Sequence, residues 1–453
     1  MRILVVSGES LVGHEGRNLR LVGELLTRGY EVVHTGPAPE MADNGFTGTT
    51  FSHDFATHQD AKEANTRLFK TWSELLDLVD WCDLVLFGVG KGYNQAAEYA
   101  AKTDKGVLWH RDVGADHFWA GHCDLVAARG RFEVKHTALR TGLPEGEIQV
   151  TGCVQFDEAA PQAMRLDRQA FCRKYELDPD SRIVVIHTPN PSVHTEPTKE
   201  ITRQACRNIG EVEGFSPLIK PHPREYAGLK IHMYYEDVET PTWEQNAPSV
   251  TLLEPYDKYD AYRHSELIVS VHYSALAKET ALLGKPLIYL ESIERFAAYF
   301  SMDPEELRKA LPAKLATPAS RRPWRTFGTL TPFLKRLPGI SESKGWQEMH
   351  ATWRRCYEDN IPDYIGLDCY VDELAEVLES GIYRYQDAAA FDAYIEEYCL
   401  ADDGQSYVRV ADMVEEAPSY ESIGKKIEAQ KGLKGMSAKY IRLKRKIHQL
   451  LSR

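Results

Sequence analysis

The sequence lacks the features that mark several large functional classes. Its eight cysteines (Cys82, Cys123, Cys153, Cys172, Cys206, Cys356, Cys369 and Cys399) are scattered and none forms a CxxC pair. Neither a zinc ribbon nor a disulfide framework is therefore expected, and a reducing cytoplasm fits this usage. No apolar run approaches the roughly 18–20 residues that cross a bilayer. Met1–Val6 (MRILVV) enters a strand-like run directly, with no charged n-region, h-region and cleavage site, so no secretory leader is expected. There is no GxxxxGK(S/T), no compact GxGxxG after the first strand, no HExxH and no GxSxG. P-loop ATP hydrolysis, tight NAD binding, zinc proteolysis and α/β-hydrolase chemistry all lose support. No Asp-x-Asp closes a strand, and Asp178-Pro179-Asp180 precedes one instead. A metal-dependent, single-lobe sugar transferase is thus disfavoured, and neither a metal nor a resident cofactor is expected.

What is present is an ordinary globular mixture: 453 residues, 43% hydrophobic and 27% charged. At ~150 residues per domain this is enough for two or three. The net charge of −13 argues against a nucleic-acid partner. The charge is unevenly spread, because Gly424–Arg453 carries ten basic residues and one acid, Glu428, leaving −22 on the rest of the chain. Tyr440, Ile441, Leu443, Ile447, Leu450 and Leu451 interleave with those basic residues at roughly helical spacing. Such a basic amphipathic helix suits docking on an anionic membrane surface. It equally suits a closing helix that packs its apolar stripe on the fold and solvates its charges.

Along the chain, strands and helices alternate. Arg2–Ser7 reads as a short apolar strand, Asn18–Arg28 as a helix stopped by Gly29, and Glu31–His34 as a strand. Trp72–Val79 is amphipathic, Leu84–Gly88 is a buried strand, Gln95–Lys102 a helix, and Gly106–His110 the last strand of this series. The alternation implies a doubly wound parallel sheet, which binds ligands beyond the carboxyl ends of its strands. A second series follows, with strands at Ile183–Ile186, Ser216–Ile219, Val250–Leu253, Leu267–Val271 and Pro286–Leu290, and a helix over Ala275–Leu283. Two Rossmann-like series of similar size point to two lobes facing across a cleft, bridged by Glu158–Lys174. Residues 296–395, rich in Trp, Arg and Pro, break the rhythm and read as a helical insertion or accessory layer.

Candidate chemistry gathers at the strand ends. Lys220-Pro221-His222-Pro223-Arg224 places three anion-contacting side chains after a strand, with two prolines fixing the backbone between them. A rigid loop with solvated Lys and Arg is the other reading. In Ser270-Val271-His272-Tyr273-Ser274 a polar turn joins strand to helix, a place suited to phosphate. Glu279, in the following helix, either accepts bonds from a ribose or sugar diol or is a surface glutamate on a packing helix. His110, followed by Arg111 and Asp112, could act with Asp112 as a general base on an acceptor hydroxyl, or be a hydrogen-bonded turn histidine. His187-Thr188-Pro189-Asn190 closes another strand, where Thr188 could hold a diphosphate or simply end the strand.

Taken in order, these segments resemble the CDP-glycerol glycerophosphotransferases, which build teichoic acids, and more broadly the GT-B glycosyltransferases. The resemblance runs from about residue 80 to 290 and resumes at Asp403–Val410. Trp109-His110 lies where that family has a Trp-His-Gly-Thr segment whose histidine is the base. Ile148–Gly152 with Asp157 resembles its Thr-Gly-x-x-x-x-Asp linker, and Thr188-Pro189 its Pro-Thr loop. Lys220–Arg224 resembles its Lys-x-His-Pro loop, and Tyr273-Ser274 with Glu279 its Tyr-Ser-Ser segment and following acid. Arg111-Asp112 replaces Gly-Thr, His272 stands where Asp is usual and Ala275 replaces the second serine, so the donor need not be CDP-glycerol. CMP-Kdo users and other capsule or lipopolysaccharide transferases remain compatible.

The resemblance implies an α/β GT-B fold with two Rossmann-like lobes facing across a cleft, a helical insertion and a C-terminal basic helix. The expected division is an acceptor lobe over 1–157, a nucleotide-donor lobe over 158–295, the insertion over 296–395, the end of the donor lobe over 396–423 and the basic helix over 424–453. It also implies a metal-independent transferase, cytoplasmic or peripheral on the inner face of the plasma membrane. That enzyme would move a sugar or polyol-phosphate from a nucleotide-activated donor to a glycan or lipid-linked acceptor. His110, Asp112 and His222 are the expected catalytic residues. Thr188, Lys220, Arg224, Tyr273, Ser274 and Glu279 are the expected donor contacts. A non-hydrolysing UDP-sugar 2-epimerase, or an inactive scaffold with a membrane-binding tail, are the competing readings.

Overall fold

The computed structural model describes residues 1–7, 18–38, 62–88, 94–103, 105–110, 123–141, 143–159, 165–188, 196–220, 251–252, 257–271, 276–300, 302–310, 367–384, 388–401 and 403–416. The chain forms two compact units, one of Met1–Asp157 with Glu396–Arg453 and one of Glu158–Ile395. Among the described residues no helix is long and apolar enough to cross a membrane.

The first unit is built on a parallel sheet. Its strands are β1 (Arg2–Val6), β2 (Glu31–Pro37), β3 (Thr66–Phe69), β4 (Leu84–Phe87), β5 (Gly106–His110), β6 (Leu125–Ala128) and β7 (Ile148–Val150), in the order β3-β2-β1-β4-β5-β6-β7. The uninterrupted apolar run of β1 follows from burial on both faces. Ile3 and Val5 pack with Leu21, Val22 and Leu25 of α1 (Leu19–Thr27). Leu4 and Val6 point the other way, toward Leu75 and Val79 of α2 (Trp72–Trp81) and Ala96, Ala97 and Ala100 of α3 (Asn94–Lys102). α2 starts at Thr71, whose side chain accepts from Glu74 N and satisfies one orphan donor of the first turn. Gly29 follows α1 at φ +83°, the left-handed position that a helix C-terminus assigns to glycine.

The second unit repeats the plan with β8 (Arg182–His187), β9 (Phe215–Lys220), β10 (Thr251–Leu252), β11 (Ser265–Ser270), β12 (Leu287–Glu291) and β13 (Leu367–Tyr370), ordered β10-β9-β8-β11-β12-β13, again parallel. Val184 and Ile186 meet Ile201, Ala205 and Ile209 of α6 (Glu196–Glu211), numbered after α4 (Val134–Thr141) and α5 (Arg168–Lys174). In both sheets the chain winds outward one way from the first strand, then returns to wind the other way. The reversal falls between β1 and β4 in the first unit and between β8 and β11 in the second, the place where such sheets open toward ligands.

Three expectations are corrected. β5 is not the last strand of its sheet, because β6 and β7 continue beyond it. Both are short, and Leu125–Ala128 carries no polar alternation that would have marked it. Residues 296–395 are not only helical: Leu367–Tyr370 pairs in parallel with Ile288–Glu291 and ends the second sheet. Residues 396–416 do not end the donor lobe. In the helix Ser406–Glu416, Val410, Ala411, Met413 and Val414 share a core with Ile3, Val5 and Leu25 of the first unit. Arg28 reaches Asp412 at 2.7 Å and Glu415 at 3.0 Å. The basic stretch 424–453 lies outside the described residues.

Candidate functional site

In the second unit, polar side chains collect at the carboxyl edge around the β8/β11 reversal. His187 and Lys220 are register partners at the ends of β8 and β9, and Lys220 Nζ lies 3.5 Å from His187 Nε2. The chain then turns at Thr188, buried, whose N–H donates to Lys220 O at 3.2 Å. Lys220 is only 4% exposed. An ammonium held that deep, at the rim where such sheets take ligands, is suited to an anion. Val271 N–H donates to His187 O at 3.4 Å, tying the end of β11 to the same edge.

Glu279 sits in α8 (Leu276–Leu282) and is buried; it follows α7 (Lys258–His264) in the chain. Its Oε1 accepts from Lys258 Nζ at 2.8 Å and from Tyr259 OH at 3.1 Å. Lys258 also stands 4.2 Å from the centre of the Tyr259 ring. The carboxylate is therefore ionically partnered and oriented, with both described bonds on one oxygen. Of its two readings, the solvated surface glutamate is the one that this burial removes.

Two further polar groups at this edge had no signal in the sequence. Arg295, on α9 (Ile293–Phe300), is buried and donates through Nη1 to Val271 O at 2.7 Å, with Glu291 Oε2 at 3.4 Å. It pins the backbone at Val271, the last described residue before His272. Lys258 is the second. Neither belongs to a motif: Arg295 reaches Val271 across 24 residues and Lys258 reaches Glu279 across 21, although Glu291 lies one turn from Arg295.

In the first unit, His110 closes β5 and is 4% exposed. Its neighbour Trp109 donates from Nε1 to Gly88 O at 3.1 Å, fixing the end of β4 beside it. A Cβ on Gly88 would stand 3.2 Å from both Cε1 and Nε2 of His110 and 3.7 Å from Asn18 Nδ2. The absence of a side chain at Gly88 thus lets the imidazole and the Asn18 carboxamide approach one point at the β1/β4 reversal. Of the expected residues, the structure describes His110, Thr188, Lys220 and Glu279. Asp112, His222, Arg224, Tyr273 and Ser274 lie outside the described residues. Among the described residues no group of three or more His, Cys, Asp or Glu is placed to hold a metal ion.

No family model matches the chain, and no curated protein matches its sequence. Solved structures do resemble it. A UDP-GlcNAc 2-epimerase from Neisseria meningitidis bound to UDP-GlcNAc is 13% identical with a TM-score of 0.51, covering 91% of this chain and 99% of that one. The MnaA–UDP complex from S. aureus is 13% identical with a TM-score of 0.51, covering 91% and 96%. The wall teichoic acid polymerase TagF is 11% identical with a TM-score of 0.53, covering 95% and 90%. At such identities the likeness shows the fold, which is the GT-B fold of two Rossmann-like units.

Proposed function

We propose that the chain is a metal-independent transferase that moves a sugar or polyol-phosphate from a nucleotide-activated donor to a cell-surface glycan. The observation that carries this reading is the buried Lys220, paired in register with His187 at the carboxyl edge of the second sheet. Lys220, His222, Arg224 and Ser274 bind the donor's phosphates and stabilise the charge that builds on the departing nucleotide. Glu279, oriented by Lys258 and Tyr259, accepts from the ribose or the transferred group. The acceptor hydroxyl oxygen forms the new bond as the bond to the nucleotide phosphate breaks, and its proton passes to His110 or to Asp112 beside it. The work would be done at the inner face of the plasma membrane, with residues 424–453 against anionic lipid.

The test is a thermal-shift panel with CMP, CDP, UDP, GDP and ADP, each with and without Mg²⁺. A nucleotide at 100 times its Kd adds about 2.7 kcal/mol to the folded state. A Mg²⁺-independent shift with one nucleotide supports the reading and selects the donor class; no shift with any refutes it. With the donor known, His222→Ala lowers kcat by about 10²–10³. A UDP-sugar 2-epimerase is the second reading, favoured by the equal likeness of the fold to that of the meningococcal enzyme. Conversion of UDP-GlcNAc with no acceptor present would establish it instead.

A further inference from the structure

Asn18 occupies the residue before α1, where an asparagine side chain ordinarily caps the first turn, yet it makes no capping bond. The side chain turns instead toward the end of β1, where Nδ2 donates to Ser7 Oγ at 2.5 Å. Ser7 Oγ lies 2.7 Å from His34 Nε2, and His34 Nδ1 lies 2.9 Å from Thr66 Oγ1. The serine oxygen accepts from Asn18, and His34 bridges Ser7 and Thr66 through its two ring nitrogens. Burial holds the His34 pKa down at about 4, so the ring stays neutral and able to accept. Asn18, Ser7 and His34 are all buried.

This chain of contacts fixes the carboxamide so that Nδ2 is spent on Ser7. Among the described residues, Asn18 Oδ1 accepts no hydrogen bond, although Asn18 is only 6% exposed. The same side chain flanks the point beside Gly88 that the His110 ring also approaches. An amide whose Nδ2 is committed to Ser7, diverted from a helix cap and standing with His110 around Gly88 at the reversal of a doubly wound sheet, leaves its oxygen to take a donor from outside the protein.

We propose that Asn18 is a hydroxyl-recognition residue: its Oδ1, oriented through Ser7, His34 and Thr66, accepts a hydrogen bond from a hydroxyl of a polyol or sugar bound beside His110. The assignment rests on the reading of His110 as the group that faces the acceptor. It adds the residue that orients the hydroxyl, and Ser7 and His34 act only through it as positioning residues.

The test uses the full chain with ¹³C-labelled histidine and follows the His110 Cε1–Hε1 NMR signal, assigned through His110→Gln. The probes are glycerol and N-acetylglucosamine, both neutral and rich in hydroxyls. Either probe should shift the His110 signal saturably in the unsubstituted protein. Asn18→Ala should raise the apparent Kd about 3–10-fold, the range for one lost hydrogen bond. Ser7→Ala, which frees the amide but leaves it in place, should produce a smaller loss. An unaltered far-UV circular dichroism spectrum and urea transition of the first unit show in each variant that this unit is folded. An apparent Kd that Asn18→Ala leaves unaltered, or a His110 signal that neither probe moves, would overturn the proposal. The nucleotide panel separates the two readings, because nucleotide binding without an Asn18 effect removes only this subsite. Probe binding weakened by Asn18→Ala in a chain that binds no nucleotide leaves the subsite standing alone.

Discussion

Asp157 ties the end of the first unit's main segment to the N-terminus of the helix Ser406–Glu416. Its two carboxylate oxygens accept from Ser406 N at 3.1 Å and Tyr407 N at 2.8 Å, across 249 and 250 residues. The group is 3% exposed, and burial pushes its pKa from an ordinary 3.8 up to about 6, against the pull of those backbone donors. Between about pH 4 and 6 the folded chain therefore keeps a proton that the unfolded chain has released. The stabilisation is complete below the ordinary value and is lost as pH rises through about 6. The gap corresponds to about 3 kcal/mol, or about 10² in an equilibrium constant. Hydrogen exchange of residues 406–416, corrected for the intrinsic pH dependence, reads this directly: protection should fall about 10²-fold between pH 4 and 7.5. In Asp157→Asn the trend should vanish. The amide accepts through one oxygen only, leaving one backbone N–H short of a partner at a cost of about 1–3 kcal/mol. The variant should thus be less protected than the parent at pH 5, with the gap closing toward pH 7.5. Protection that rises with pH, or an identical trend in the variant, would refute the reasoning.

Other consequences follow from the same geometry. Gly152 has φ +87°, and a Cβ there would overlap Ser406 Oγ, so Gly152→Ala should cost at least about 1–2 kcal/mol and appear as lost protection in 406–416. Arg129 and Glu133 form an ion pair whose side chains are 1% and 2% exposed. Glu133→Gln leaves the guanidinium buried without its counter-charge and should destabilise the first unit by about 3–5 kcal/mol, seen as an early urea transition. Lys220→Met keeps the apolar stem and removes the charge; calorimetric titration should show nucleotide affinity weakened at least about tenfold. Equal affinity in that variant would remove Lys220 from the donor site.

Much of the scaffold is legible in the sequence, because its signals are local. The run Ile3–Val6 is apolar at every position, which only a strand covered on both faces requires, and α1 covers one of those faces. Lys220 and His110 can be placed at ligand-facing edges from their positions just inside the ends of apolar runs, and Gly29 marks a helix end through its own backbone freedom. The short strands Thr66–Phe69 and Leu367–Tyr370 escape, since four residues carry too few alternations to separate a strand from a loop.

The site's finer chemistry belongs to the tertiary structure. Glu279 shows a carboxylate but not that Lys258 and Tyr259 hold one of its oxygens, a pairing 21 and 20 residues apart with no periodic relation. Asn18 looks like the start of a helix, and only the parallel register that sets Val5 beside His34 and His34 beside Thr66 lines up the partners that draw its side chain away. The amphipathic pattern of Ser406–Glu416 determines that one face must be buried. Which core receives it is decided by Asp157 and Arg28, hundreds of residues away. Periodicity states that a surface needs a partner; the path of the chain between them selects which one.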